Sequence, residues 1–95
     1  MKIYAAYNVN KVKKLAKDLV QLYYDFDYYD FVDAYGIDDF DRAVSDMYDS
    51  LINTKSPVLK ELRDIIIELE PDKDDPNYAD MYDTAIQLRE RVEAL

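Results

Sequence analysis

The feature that most constrains the fold of this chain is how few chain-reversing residues it has: one glycine and three prolines among 95 residues. Folds made of short strands and tight turns need both residue types at many positions, because turns depend on their backbone geometry. Hydrophobic residues make up 49% of the chain, enough for a core at a length that suits one domain. The sequence therefore predicts a single domain, residues 1–95, built from long helices.

Four segments carry apolar residues at the i, i+3, i+4 spacing that places them on one face of a helix. The first segment starts near Asn10, a good N-cap residue; its stripe is Val12, Leu15, Ala16, Leu19, Val20, Tyr23 and Phe26. The second follows a cap at Asp38 or Asp39; its stripe is Phe40, Ala43, Val44, Met47, Tyr48, Leu51 and Ile52. Each stripe predicts a helix with one buried face.

Proline marks the start of the two remaining helices, because its fixed backbone angle suits the first helical position. Ser56-Pro57 opens the third, and Pro71 ends it; its stripe is Val58, Leu62, Ile65, Ile66 and Leu69. Asp75-Pro76 opens the fourth, which runs to Leu95 through Tyr78, Met81, Tyr82, Ala85, Leu88 and Val92. The connections are short, so neighbouring helices are expected to pack antiparallel.

Residues 28–35 and 1–9 each leave two alternatives. Residues 28–35 continue the first helix or, after a kink at residues 25–27, form a separate helix that Gly36 ends. Residues 1–9 alternate loosely in polarity and form a short strand or an ordered arm, although no second strand pattern follows. The predicted fold is all-α: an antiparallel bundle of four helices, or five, with a short N-terminal arm.

The chain has no cysteine and no histidine. Thiolate chemistry, a nucleophile–histidine–acid triad and the commonest metal ligand are therefore excluded. The start, Met1 to Tyr7, is too short and polar for a secretory signal, and no apolar run approaches the roughly 20 residues of a membrane span. The sequence predicts a cytoplasmic protein that is not an enzyme and uses no cofactor.

The net charge of −9 is unevenly distributed. Residues 1–20 carry five lysines and one aspartate, whereas residues 21–53 carry nine aspartates and one arginine. Strong negative charge repels phosphate backbones and anionic lipid, which argues against nucleic acid and membrane as partners. The expected partner is a basic protein.

The segment from Tyr23 to Asp49 contains nine aspartates, no glutamate and nine aromatic residues. Aspartate is a poorer helix former than glutamate, so a need for solubility alone does not favour it. Short carboxylates beside tyrosines are typical of a rigid acidic interface, with Tyr28, Tyr29, Asp30 and Asp33 as candidate contact residues. The other interpretation is a solvated face whose aromatic rings fill the core.

A second acidic run extends from Glu68 to Tyr78. Glu68 and Glu70 lie at the C-terminal end of the predicted third helix, where each negative charge costs about 0.3–1 kcal/mol against the helix dipole. Asp75 differs, because an N-cap aspartate is favourable for structure alone. The candidate contact residues of this run are Glu68, Glu70, Asp72, Asp74, Asp75 and Tyr78.

Neither acidic run fits a calcium-binding loop. Asp25-Phe26-Asp27 begins like an EF-hand loop, but Tyr29 takes the third ligand position and Asp30 stands where the loop needs glycine. Asp72-Lys73-Asp74 fails in the same way, because Pro76 and Asn77 occupy the corresponding positions. No metal ligand is predicted.

Within the second run, Glu70-Pro71-Asp72-Lys73-Asp74 and Asn77-Tyr78, with the closing helix, resemble the immunity proteins of colicin D and of related bacteriocins and contact-dependent inhibition toxins. Ser56-Pro57 and Tyr35-Gly36-Ile37 also resemble this family, although the likeness covers mainly the last 40 or so residues. The lysine-rich start, the Asp/Tyr segment and the Phe40–Asn53 helix depart from it.

The resemblance implies an acidic helical bundle that binds the nuclease domain of a cognate toxin, in the type case one that cleaves tRNA. Carboxylates would stand in for substrate phosphates in the basic active site of the toxin. Glu70 and Asp72 match the acids of the family motif, with Asp74 and Glu68 beside them.

Two other functions compete with an immunity protein. A nucleic-acid mimic that inhibits a defence nuclease, such as an anti-restriction or anti-CRISPR protein, would use residues 25–49 as a row of false phosphates. A structural or regulatory helical module would carry its acidity only for solubility. The arrangement of the carboxylates on the surface distinguishes the three functions. A nucleic-acid mimic needs an extended row of carboxylates, and an immunity protein needs a compact patch. A module that is acidic only for solubility needs neither.

Overall fold

The computed structural model describes residues 9–36 and 39–95. In these residues the chain forms five α-helices and no strand. They are α1 (Val9–Phe26), α2 (Tyr28–Tyr35), α3 (Phe40–Asn53), α4 (Ser56–Leu69) and α5 (Ala79–Glu93), with a 3₁₀ turn at Glu70–Asp72 after α4. The prediction of an all-α bundle is confirmed. The predicted arm lies outside the described residues except for Val9, which begins α1.

Helix α1 is the central element and packs against α2, α3 and α5. Five residues of the predicted stripe are buried, together with Leu22 beside it, so the apolar face contacts several neighbouring helices: Val12, Leu15, Ala16, Leu19, Val20 and Leu22. Tyr23 and Phe26 lie at the edge of this stripe and are only partly buried. The last two turns of α1 therefore present aromatic rings near the surface.

Asp27 separates α1 from α2, which decides the bundle in favour of five helices. Its carboxylate accepts a hydrogen bond from the backbone N–H of Asp30 at 3.1 Å, as an N-cap does. At the other end of α2, Gly36 has a φ of 81° and donates its backbone N–H to the carbonyl of Val32 at 2.7 Å. Only glycine adopts that φ at little cost, so Gly36 ends the helix as predicted.

Two contacts set the directions of the long helices. Lys55, just before α4, donates from Nζ to the carbonyls of Glu93 at 3.1 Å and Leu95 at 3.3 Å, so α4 begins where α5 ends. Arg91, near the end of α5, pairs with Asp18 of α1 at 2.9 Å, while Asp25 shares a groove with residues at the start of α5. Both α1 and α4 are thus antiparallel to α5, and their C-terminal ends lie at the same end of the bundle, called here the acidic end.

The prediction that Asp75-Pro76 starts the last helix is wrong by one turn. Helix α5 begins at Ala79, with Tyr78 in the cap position and no side-chain cap. The carboxylate of Asp75 instead accepts from the backbone N–H of Asn77 at 2.9 Å, and its carbonyl accepts from Tyr78 and Ala79. This short-range bonding holds residues 75–78 in a turn that precedes the helix.

The core consists of two joined clusters. The larger one gathers buried side chains of α1, α3, α4 and α5, including Leu19, Leu51, Leu62 and Val92. The smaller one is formed by Val20, Phe31 and Ala43 beneath a set of partly buried aromatic rings. No polar or charged residue of 9–36 and 39–95 is fully buried. Among the same residues, no helix is both long and apolar enough to cross a membrane.

Candidate partner-binding surfaces

The acidic end of the bundle carries negative charge where helices tolerate it least. Asp25 lies in the last turn of α1 and Glu68 in the last turn of α4, and neither helix has a basic residue in its last turn. Helix C-termini prefer cations, and each misplaced carboxylate costs about 0.3–1 kcal/mol. Two such helix ends lie at the same end of the bundle, so both carboxylates reduce stability, which is typical of residues kept for binding.

The acidic corner, defined as Glu68 to Asp75 together with Tyr78, continues this surface. Between residues 64 and 88 the chain has eight carboxylates and one cation, Lys73. Lys73 pairs with Glu70 at 3.7 Å in an exposed position, where such pairs contribute little. Among the described residues, Lys73 is the one cation paired with a carboxylate of the corner, so most of these carboxylates are available to a basic partner.

The predicted residues of the corner occupy three short elements. Glu68 ends α4, Glu70 and Asp72 lie in the 3₁₀ turn, and Asp74 and Asp75 lie in the turn before α5. All are exposed except Asp75, which is half-buried and bonded to the backbone of Asn77. Asp75 thus has a structural role, but in the turn before α5 and not as the N-cap that the sequence predicts.

Two apolar side chains accompany the corner. Tyr78 is 42% exposed, and Ile67, next to Glu68 on α4, is 61% exposed. Sequence reasoning chose Tyr78 but missed Ile67, whose signal was an isoleucine outside the buried stripe of α4. Exposed apolar groups beside charges are typical of contact surfaces in which the apolar group supplies the anchor.

The four candidate residues of α2 do not form one surface. Asp30 faces a groove shared with α3 and α4. Tyr28, Tyr29 and Asp33 do not line that groove and are exposed, Tyr29 to 80%. The rings of Tyr28 and Tyr29 meet edge to face with centroids 5.6 Å apart, and Tyr28 also contacts Tyr24 at 5.2 Å.

The groove lies between α2, α3 and α4 over the end of α1 and has a volume of about 450 Å³. Its floor is aromatic and apolar and includes Tyr23, Phe26, Phe31, Tyr35 and Met47. Five carboxylates surround this floor: Asp27, Asp30, Asp46, Glu61 and Asp64. None of the described residues that line the groove is a lysine or an arginine.

One wall of the groove leads to the acidic corner. Glu61, Asp64 and Glu68 stand at i, i+3 and i+7 on α4, so they follow one side of the helix. The first two line the groove and the third belongs to the corner. Sequence reasoning missed Glu61 and Asp64; their signal was an acidic stripe beside the buried stripe of Val58, Leu62 and Ile65.

Four titratable groups of the groove, Tyr23, Asp30, Tyr35 and Glu61, have pKa values shifted toward their neutral forms. Burial, followed by repulsion from Asp64, raises the pKa of Glu61. The charge of Asp27 raises the pKa of Asp30, and burial and then the carboxylate of Asp46 raise the pKa of Tyr35. Burial also raises the pKa of Tyr23, with Glu61 adding to the effect. An added cation in the groove would relieve these repulsions.

The hydroxyl of Tyr23 is the other unusual group of the groove. It is buried and has no hydrogen-bond partner among the described residues. An unpaired buried hydroxyl costs about 1–3 kcal/mol. The floor of the groove is therefore not packed for stability alone.

Metal binding finds no support in this part of the chain. Within residues 9–36 and 39–95, no group of three or more acidic side chains comes close enough to hold an ion. The carboxylates surround the groove and the corner without converging on a point, an arrangement that suits an extended cationic partner better than an ion.

Comparison with known proteins adds no relative. No family model matches the chain, and no curated protein and no solved structure matches it. The resemblance to immunity proteins therefore depends on the short motif from Glu70 to Asp74, and it stays a prediction.

Proposed function

We propose that this protein is an inhibitor of the immunity-protein type, which binds the nuclease domain of a bacterial toxin and covers its basic active site. The observation that carries the proposal is the acidic end, where Asp25 and Glu68 occupy the C-terminal turns of two helices that end at the same end of the bundle, with no cation in either last turn. A chain selected only for stability would place lysine or arginine there.

The mechanism is binding rather than catalysis. The exposed carboxylates of the corner attract a basic surface over a distance of about one Debye length, roughly 8–10 Å at ordinary salt. They then replace substrate phosphates in the toxin, as the motif acids Glu70 and Asp72 imply. Exposed apolar groups such as Ile67 and Tyr78 exclude water from the contact and slow dissociation.

The distribution of charge supports this proposal over the two alternatives. Most of the uncompensated carboxylates flank one end and one groove, while the first half of α1 carries four lysines, Lys11, Lys13, Lys14 and Lys17. A phosphate mimic would need the row to continue along the molecule. Acidity kept for solubility would be spread more evenly.

Co-purification from the native host is the first test of the proposal. A tagged form of the protein should retain a basic protein with nuclease activity, and adding the pure protein should abolish that activity at a one-to-one ratio. Retention of a nucleic-acid-processing defence enzyme would favour the mimic. Failure to retain any nuclease would overturn the proposal.

Substitution then locates the site. Glu70→Ala with Asp72→Ala should weaken toxin binding by several kcal/mol, about what loss of charges paired in an interface costs. The matched control, Asp83→Ala with Glu90→Ala on α5, removes two exposed carboxylates outside the corner and should leave affinity nearly unchanged. Circular dichroism checks that both variants keep their helices. Equal affinity of the two variants would exclude the corner as the site.

A further inference from the structure

The groove allows a more specific statement about the partner, one that depends on the proposed function. We propose that the groove between α2, α3 and α4 is a socket for one arginine side chain projecting from the basic partner protein. The aromatic floor would receive the stem and the face of the guanidinium, and the carboxylates of the two walls would receive its N–H groups.

The volume of the groove suits this occupant. At about 450 Å³ it lies in the range of pockets that enclose small ligands. It is a groove open to solvent and not an enclosed cavity. One long side chain with part of its neighbouring backbone therefore fits, whereas a whole helix needs a longer trough.

The charge of the groove complements a cation, because five carboxylates and no lysine or arginine are among the described residues that line it. Glu61 and Asp64 stand on the α4 wall, and Asp27 and Asp30 stand on the α2 wall. Among the described residues, these four carboxylates make one ion pair, from Lys60 to Asp64 at 3.4 Å, an exposed pair of the kind that contributes little.

The neighbouring groove between α1 and α5 offers a contrast, because an arginine of the chain is part of its lining. It has a similar volume, about 470 Å³, and acidic residues Asp18, Asp25 and Asp80. There the chain supplies its own cation, because Arg91 reaches Asp18 at 2.9 Å. Among the described residues that line the groove between α2, α3 and α4 there is no lysine or arginine. The nearby Lys60 and Arg42 reach Asp64 and the Tyr35 ring from exposed positions outside the lining, which leaves the groove itself open to a cation from the partner.

Arginine fits the floor better than lysine does. A guanidinium is planar, stacks on aromatic faces and binds two carboxylates at once, whereas an ammonium is a strongly hydrated point charge. The chain itself uses this chemistry beside the groove, where Arg42 lies 5.2 Å from the centre of the Tyr35 ring and pairs with Asp39 at 3.0 Å.

The test is an NMR titration of the full chain with acetyl-arginine-amide as the probe. Saturable shifts should appear at the backbone amides of Tyr23, Asp27, Tyr35 and Glu61, and they should be weaker with acetyl-lysine-amide. Acetyl-citrulline-amide, which has the same shape without the charge, should give none. Shifts spread evenly over all acidic residues, or strongest at Asp72 and Asp74, would overturn the proposal.

Two variants with the same loss of charge complete the experiment. Glu61→Gln with Asp64→Asn should weaken the binding of the arginine probe roughly tenfold, as expected when a charge-assisted hydrogen bond is lost. Asp72→Asn with Asp74→Asn removes two charges from the corner and should leave the probe affinity nearly unchanged. Equal losses in the two variants would mean that the probe responds to net charge and that no socket exists.

The outcome is separable from that of the proposed function. The titration needs no partner, so it can succeed even if no toxin is found. Conversely, if a nuclease toxin binds and the corner variants weaken it while Glu61→Gln with Asp64→Asn does not, the socket is excluded and the inhibitor stands.

Discussion

The acidic corner and the groove carry charge of the same sign, but the chain holds their carboxylates in different ways. In the corner, Glu70, Asp72 and Asp74 stand on short turns and are exposed to solvent. In the groove, Asp27 and Glu61 stand on or beside helices whose other faces build the core. The corner suits attraction at a distance, where exposure matters most, and the groove suits contact, where fixed geometry matters most.

The two surfaces also differ in how much their residues contribute to the stability of the fold. The corner can change without disturbing packing, whereas the floor of the groove is part of the second core cluster through Phe31. A partner that uses both surfaces would therefore depend on one site that tolerates variation and one that does not. Substitutions at matched positions test this division.

The largest difference in the free energy of unfolding is expected between alanine substitutions at Phe31 and at Tyr78. Phe31 is 7% exposed and contacts the rings of Tyr24, Tyr35 and Phe40. Phe31→Ala should lower the free energy of unfolding by about 3 kcal/mol, as for other buried aromatic side chains. Tyr78→Ala should lower it by about 0.5 kcal/mol or less, because the ring is partly exposed at the corner. Urea denaturation measures both, and similar losses would contradict the division.

A smaller difference in the free energy of unfolding is expected between alanine substitutions at two aspartates that precede helices. Asp27 caps α2 through its hydrogen bond to Asp30, whereas Asp39, before α3, makes no cap bond. Asp27→Ala should cost about 1 kcal/mol of unfolding free energy, the usual value of an N-cap. Asp39→Ala should cost less, since it loses only an exposed pair with Arg42. Equal losses of stability in the two variants, measured by thermal melts, would show that the capping hydrogen bond of Asp27 does not stabilise the fold.

One substitution in the corner should increase stability. Glu68→Lys replaces a carboxylate at the C-terminal end of α4 and turns its i,i+4 repulsion from Asp64 into attraction. The variant should be more stable by about 0.5–1 kcal/mol, and the gain should shrink at high salt. Asp80→Lys in the first turn of α5 is the opposite control and should destabilise. A loss of stability in Glu68→Lys would show that this end is not strained by charge.

The smallest effect is expected from Glu61→Gln and depends on pH. Burial raises the pKa of Glu61, so the folded protein binds its proton more tightly than the unfolded chain does. The charged carboxylate therefore destabilises the fold at neutral pH, and this penalty disappears as the pH falls through the raised pKa toward the ordinary glutamate value. Glu61→Gln should raise the melting temperature slightly at pH 7 and not at pH 4. A gain that persists at pH 4 would contradict this explanation.

The sequence predicted what depends on neighbours along the chain. The stripes of α3 and α4 follow helical spacing, and the corner is one continuous run. The break before α2 is one of two alternatives that the sequence leaves open, and the structure places it at Asp27. The groove could not be predicted in the same way, because its walls come from α2 and α4, which are apart in sequence. The position of the groove depends on how α2 packs against α3, and the spacing of apolar residues along the sequence does not specify that packing.

The start of α5 shows the same limit on a smaller scale. Asp75 and Pro76 fit the pattern of a helix start, but Asp75 can bond to Asn77 as easily as to a helix. The pattern cannot distinguish the two, since both use the same carboxylate and the same spacing to within a residue. The contact residues chosen from the sequence stay predictions.

The layout of α1 has a further consequence for how the molecule moves before any contact. Its lysines stand at one end and Asp25 at the other, along a helix about 27 Å long, so the side-chain charges add to the alignment of the peptide groups. The result is a permanent electric moment along the molecule. The electric field of a cationic surface exerts a torque on this moment and turns the acidic end toward that surface. Fewer encounters are then unproductive.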